Sequence, residues 1–155
     1  MPEPAKRPRV MIVEDFVLIQ ESIRVVLEGE CDVLATAEDG ETALAAVAEL
    51  RPDIVTLDVS LPGFSGFALA EKFSETAPAT KVVFITAHTD RTYIERAFEV
   101  GAKGYVLKGA IQTELTAAIR QVSAGGRYLS PLLRARVNLN LNWTLPAVGG
   151  SQPPL

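Results

Sequence analysis

Short apolar runs recur along the chain, and segments of helical spacing fill the gaps between them. The runs are "VMIV" (10–13), "DVLATA" (32–37), "DIVTL" (53–57), "KVVFIT" (81–86) and "GYVLK" (104–108). Their length and β-branched content predict strands. Three of them, "VMIV", "IVTL" and "VVFIT", are apolar without alternation, the pattern of a strand covered on both faces. In the gaps, Ile19, Ile23, Val26 and Leu27 fall at i, i+4, i+7 and i+8, a helical stripe. Leu44, Val47 and Ala48 make a second stripe, and Ala70 and Phe73 belong to a third that starts near Gly66. Ile94, Ala97 and Phe98 form a fourth, and Leu115, Ala118, Ile119 and Val122 a fifth. Gly101 and the Gly125-Gly126 pair stand where helix C-caps belong.

Five strands alternating with five helices predict βα units and a parallel sheet with right-handed crossovers. The fold class expected is α/β: a flavodoxin-like doubly wound (βα)5 domain with a five-stranded parallel sheet in the order 2-1-3-4-5. The folded unit is expected over 9–128. Residues 1–8 are proline-rich and charged, and are expected to be a flexible lead-in. From about Ser130 the rhythm stops, so 129–155 is expected to be a mostly irregular tail. Within it "VNLNLNW" (137–143) alternates at period two, the pattern of a short strand. Such a strand would add to a sheet edge or pair with another chain.

Composition narrows the classes. Over Val10 to Tyr128 there are 10 Lys+Arg against 18 Asp+Glu, a balance of −8. An acidic core argues against nucleic-acid binding, which needs a basic face. Arg134 and Arg136 in the tail are too few to supply one. The single cysteine, Cys31, permits no internal disulfide and reads as a small structural hydrophobe in a reducing cytoplasm. No apolar run approaches the roughly 20 residues that cross a bilayer, and no membrane association is expected.

The chemistry gathers at one edge. In an open parallel sheet the functional crevice lies beyond the carboxyl ends of the strands. Glu14 and Asp15 follow the first run, Asp58 follows the third, Thr86 and Ala87 close the fourth, and Lys108 ends the fifth. The second run delivers Glu38 and Asp39 to the outer edge. With strands one and three adjacent, three carboxylates converge beside a hydroxyl and an ammonium. Mutually repelling carboxylates need a cation, and oxygen-only ligation suits Mg²⁺. Asp58 can then offer an oxygen to a phosphoryl group. The cation, Lys108 and Thr86 would neutralise the phosphoryl oxygens. Taken singly, a carboxylate after a strand is usually a helix cap or turn former; Asp15 could cap the first helix, and Lys108 could be an ordinary solvated lysine. Four strand ends out of five delivering complementary groups to one edge favour a site. The Leu61-Pro62-Gly63 break after Asp58 is expected to free a loop that faces it.

The stretches "MIVEDFVLIQESI", "IVTLDVSLPGFSG", "VVFITAH" and "GAKGYVLKG", in this order and spacing, resemble the receiver domain of two-component response regulators. The resemblance covers about residues 9 to 125. It implies that Asp58 is the phospho-acceptor. It implies Asp15 as a direct metal ligand, Glu14 acting through water, the backbone carbonyl of Ser60 as a further ligand, and Mg²⁺ or Mn²⁺ as the metal. Thr86 and Tyr105 are then the switch pair, Lys108 the phosphate contact, and Ala87 the small residue that leaves access open. Implied partners are a sensor histidine kinase or phosphotransfer protein. A downstream protein target, or a second copy of the chain, would bind through the fourth helix, fifth strand and fifth helix.

The pattern departs from the family at Lys108-Gly109, where many receivers have Lys-Pro. "SLPGFSG" and "GYVLKG" with "ELTAAIRQVSAGGRYLSP" are most similar to receivers of the NarL/FixJ type. Those usually carry a LuxR-type helix-turn-helix domain, which the tail is too short to hold, so no direct DNA binding is expected of these residues. Two other classes compete. A haloacid-dehalogenase-like phosphatase also uses an aspartate after a strand, but wants Asp-x-Asp where this chain has Ser60. A phosphorylation-independent interaction module on the same fold would not require Glu14, Asp15, Thr86 and Lys108 together. Such a receiver is not an enzyme beyond its own phosphorylation and dephosphorylation. His88 reads as a solvated loop residue. Trp143 would dock on the domain or serve in dimerisation.

Overall fold

The computed structural model describes residues 6–137. Its elements follow the predicted alternation: β1 (Arg9–Val13), α1 (Val17–Leu27), β2 (Asp32–Ala37), α2 (Gly40–Leu50), β3 (Ile54–Leu57), β4 (Ser60–Leu61), β5 (Phe64–Ser65), α3 (Gly66–Thr76), β6 (Lys81–Thr86), α4 (Arg91–Glu99), β7 (Gly104–Leu107), α5 (Ile111–Ser123), β8 (Tyr128–Leu129) and α6 (Pro131–Arg134). A 3₁₀ turn over Lys108–Ala110 joins β7 to α5. The main sheet is parallel throughout, in the order β2-β1-β3-β6-β7-β8.

Alternate residues of each central strand enter opposite layers, as the period of two requires. Met11, Val13, Val55, Leu57 and Phe84 face α2, α3 and α4, where Val47, Leu69, Phe73 and Ile94 complete one core. Val10, Ile12, Ile54, Val83 and Ile85 face α1 and α5, meeting Ile23, Leu27, Leu115, Ile119 and Val122. Both layers are predominantly apolar, which is why the runs carried no polar alternation. The predicted helical stripes shift by a residue in places. Ala43, not Ala48, is buried with Val47 in α2, and in α1 the buried row is Gln20, Ile23 and Leu27.

The expected parallel order over the first five main strands holds, and a sixth strand extends the sheet. Gly101 and Gly125 take left-handed φ of 100° and 95°, the conformation that ends a helix at glycine. Beyond Gly125 the chain returns to the β7 edge, where Tyr128 pairs with Gly104 and Leu129 with Tyr105. A two-residue strand carries no periodicity, so the pattern could not announce it. Leu133 of α6 is buried in the same core as Leu129 of β8. The expected interaction face of α4, β7 and α5 therefore has its sheet edge covered by the chain's own β8. The alternating stretch 137–143 lies, beyond Val137, outside the described residues.

The lead-in expectation also changes at its end. Arg7 donates to Asp32 Oδ1 and to the carbonyls of Glu28, Gly29 and Cys31, fastening the chain before β1 to the α1–β2 turn. The Leu61-Pro62-Gly63 break does not free a loop. Pro62 and Gly63 (φ 67°) close a two-residue turn between the antiparallel β4 and β5. Among the described residues no helix is long and apolar enough to cross a membrane.

Candidate functional site

The strand ends place the acidic groups as the topology predicts. Asp58 leaves β3 with its N–H bonded to Val13 O at 3.2 Å, and Glu14 leaves β1 with its N–H on Ala37 O at 3.0 Å. Both side chains are buried, and Asp15 is half-buried beside them. One carboxylate oxygen from each of Glu14, Asp15 and Asp58 lies within 4.8 Å of the others. Lys108 enters from the 3₁₀ turn after β7. Its Nζ donates to Asp58 Oδ2 at 2.9 Å and stands 3.2 Å from Glu14 Oε1 as an ion pair. Asp58 Oδ1 accepts from the Ser60 N–H at 3.2 Å, and Glu14 Oε2 from the Phe16 N–H at 3.0 Å.

Asp15 is not the cap of α1, whose N-cap residue is Phe16 with no side-chain bond. Asp39, at the end of β2, does cap: its Oδ1 accepts from Thr42 N–H at 2.8 Å. The cap reading of a carboxylate after a strand is thus realised at Asp39 and not at Asp15.

The electrostatics fit a cation. Burial pushes Glu14 above the ordinary carboxylate range, opposed by the Phe16 N–H; the charge of Asp58 pushes it further up and Lys108 opposes. For Lys108, burial alone would lower its pKa, but the hydrogen bond and charge of Asp58, with Glu14 behind, hold it above its usual value. Glu14 Oε1 meets only the Lys108 ammonium, and the buried Asp15 Oδ1 has no hydrogen bond. Buried acceptors of this kind are rare without a partner. One ammonium against three carboxylates leaves negative charge in a buried place, and all-oxygen donors suit a hard divalent ion. The residues present fit Mg²⁺ or Mn²⁺.

Thr86, at the end of β6, is buried, and its hydroxyl accepts from the His88 N–H at 3.1 Å. Tyr105 in β7 is fully buried and points inward, its hydroxyl donating to His88 O at 2.9 Å. Burial raises its pKa, against a hydrogen bond with Thr86 that lowers it. His88 is not simply solvated: its ring stacks on Tyr93 with centroids 4.1 Å apart. Ala87 is exposed at the rim, as is Ser60. Cys31 is buried, and burial pushes its thiol up, away from reactivity.

Four contributors carried no obvious sequence signal. A Cβ on Gly66 would lie 2.2 Å from Asp58 O, so only glycine lets α3 start against the loop after Asp58. Gly66 N–H also bonds Val59 O at 2.7 Å. The Phe64 ring fills the space above Gly40, seating the β4–β5 hairpin on α2. The exposed Phe16 ring stands 5.8 Å from Lys108 Nζ. Gln20 is buried beneath the acidic pair and donates to Glu14 O at 2.5 Å. Its signal was legible in part, as an amide three and seven residues before Ile23 and Leu27 on an apolar stripe.

A parallel doubly wound sheet with an acidic crevice at its switch point is the architecture of a receiver domain. The family model for the response regulator receiver domain matches residues 10–120, and the chain belongs to that family. It is 37% identical over 134 residues to the response regulator GacA of Pseudomonas aeruginosa, covering 84% of this chain and 62% of that protein. It is 36% identical over 124 residues to the oxygen regulatory protein NreC of Staphylococcus epidermidis, covering 78% of this chain and 57% of that one. The chain thus spans less than two thirds of the length of these relatives. Among solved structures, a two-component response regulator of the LuxR family from Aurantimonas sp. SI85-9A1 superposes with TM-score 0.80 at 32% identity, covering 84% of this chain and 94% of that one. The isolated REC domain of RcsB from Salmonella enterica serovar Typhimurium, determined with phosphomimetic BeF3-, gives TM-score 0.81 at 20% identity and shares the fold. It covers 86% of this chain and all of that one.

Proposed function

We propose that this chain is a phosphoryl-accepting receiver of a two-component or phosphorelay system in the cytoplasm, with Asp58 as the acceptor. The observation that carries the reading is the crevice itself: Asp58 buried between Glu14 and Asp15, with Lys108 bonded to its Oδ2. An attacking Asp58 oxygen forms the new bond to phosphorus as the donor's N–P or O–P bond breaks. The bonding pair leaves with the donor atom, which takes up a proton.

A bound Mg²⁺ would supply the positive charge that lets a phosphoryl group approach an acidic crevice. Glu14, Asp15, Asp58 and the Ser60 carbonyl are the groups that would hold it. Lys108 holds the acceptor carboxylate now and would meet a phosphoryl oxygen after transfer. Ser60 N–H fixes the other acceptor oxygen, and Ala87 at the rim leaves the approach open. Thr86 would then turn its hydroxyl from the His88 N–H toward the phosphoryl group. Tyr105, bonded to the same residue's carbonyl, would register that change at the face of α4, β7 and α5. The donor is a sensor histidine kinase or phosphotransfer protein. The reader is a protein target or a second copy, and the chain is not otherwise an enzyme.

The test is intact mass after incubation with a small acyl-phosphate donor and Mg²⁺. One phosphoryl group is expected on the parent and none on Asp58→Asn. A parent that stays unmodified, or an Asp58→Asn variant modified equally, removes Asp58 as acceptor. Multiple turnover of the donor to free phosphate would favour a phosphatase instead.

A further inference from the structure

We infer that Gln20 is a positioning residue for the acidic pair and that its amide sets the metal affinity of the crevice; the inference rests on the metal-dependent reading above. Gln20 lies in the row of α1 that faces the core, with Ile23 and Leu27, where an apolar residue would be the ordinary choice. A buried amide is costly unless it is bonded. This one reaches back six residues to donate its Nε2 to the main-chain oxygen of Glu14 at 2.5 Å.

The consequence follows from the planarity of the peptide bond. The Glu14 carbonyl and the Asp15 nitrogen belong to one rigid unit. Fixing the carbonyl direction fixes the plane from which the Asp15 side chain departs. Glu14 is then held at four points: its N–H on Ala37 O, its two carboxylate oxygens by the Phe16 N–H and the Lys108 ammonium, and its carbonyl under Gln20. Asp15 has no comparable restraint, because its buried Oδ1 has no hydrogen bond. Its place near Glu14 and Asp58 therefore depends on the peptide that Gln20 anchors. Groups that orient metal ligands from behind commonly alter affinity by about tenfold or more when removed.

The test uses the full chain and compares the parent with Gln20→Met, which keeps the volume and removes the donor. Gln20→Asn keeps an amide too short to reach and serves as the second variant. Ile23→Val is the control, a mild change on the same buried row of α1 that leaves Gln20 in place. Mn²⁺ binding is measured by electron paramagnetic resonance and Mg²⁺ by competition, beside melting of the metal-free proteins. Gln20→Met and Gln20→Asn are expected to bind metal about tenfold more weakly, while Ile23→Val binds as the parent does. Equal affinity in parent and Gln20→Met overturns the inference. So does an equal weakening in Ile23→Val, which would make the effect one of general stability. If the parent itself binds no Mn²⁺, the metal-dependent reading fails and the positioning role fails with it.

Discussion

The crevice at the end of β3 and the seam between β7 and β8 are both polar clusters built around carboxylates, buried at the first and half-buried at the second, and they are finished differently. At the seam, Tyr128 Oη and Ser130 Oγ donate to Glu114 Oε1 at 2.9 and 2.7 Å. Ser130 Oγ accepts from the Leu107 N–H at 3.1 Å, and Ser130 N–H donates to Tyr105 O at 3.0 Å. One serine thereby satisfies both itself and the end of β7. At the crevice, Glu14 and Asp58 share one ammonium, Asp15 stands beside them, and its buried Oδ1 has no hydrogen bond. A satisfied cluster stiffens a fold; an unsatisfied one is tolerated where a ligand or reaction completes it. The difference distinguishes a joint from a site without reference to any relative.

The strongest way to break the comparison is at Gly66, where the crevice depends on a close backbone approach. Gly66→Ala is expected to destabilise the chain by about 3 kcal/mol and to abolish phosphoryl uptake at Asp58. Gly109→Ala has open space at its Cβ and should stay within about 0.5 kcal/mol of the parent. Chemical denaturation and intact mass check both, and near-native stability for Gly66→Ala would contradict the close approach. At the seam, Ser130→Ala leaves Leu107 N–H unpaired and should cost about 1–3 kcal/mol. Phosphoryl uptake should be unchanged when assayed well below the melting temperature; a loss there would tie the seam to the chemistry.

Metal sharpens the contrast at smaller magnitude. Mg²⁺ at ten times its dissociation constant should stabilise the parent by about 1.4 kcal/mol and leave Asp15→Asn unaffected, as read by thermal melting. Stabilisation of both alike would place the ion elsewhere. The smallest effect belongs to Asp39, whose carboxylate the Thr42 backbone N–H holds below its ordinary value. A depressed acid stabilises the fold while charged, so its contribution is present above the ordinary aspartate range, near about 4. It is lost as pH falls through the lower folded value. Asp39→Asn should flatten that part of the stability profile between neutral and strongly acidic pH. An unchanged slope would mean the cap contributes nothing that pH can remove.

The alternation of strands and helices was legible because two cores need two different periodicities, and Val10–Val13 or Val82–Ile85 could satisfy neither face with polar residues. Glu14, Asp15, Asp58 and Lys108 were legible as a set because a parallel sheet delivers all its strand ends to one edge. Other features had no such rule behind them. Tyr128–Leu129 is too short to show a period. Arg7 looked like part of a proline-rich lead-in until its guanidinium met the carbonyls after α1. Gly66 is an unremarkable glycine in sequence, because what it must avoid, Asp58 O, comes from another element.

Sequence alone determined the layers, the strand order and the groups at the functional edge, since periodicity and topology act through local spacing and general rules of chain connection. Only the tertiary structure decided which carboxylates cap and which converge. Asp39 and Asp15 both follow a strand, yet one meets Thr42 N–H and the other meets two more carboxylates. It also decided that Tyr105 faces inward, that β8 covers β7, and that Gln20 lies under Glu14. These are distances between residues far apart in the chain or on successive helical turns, set by packing that no single segment contains.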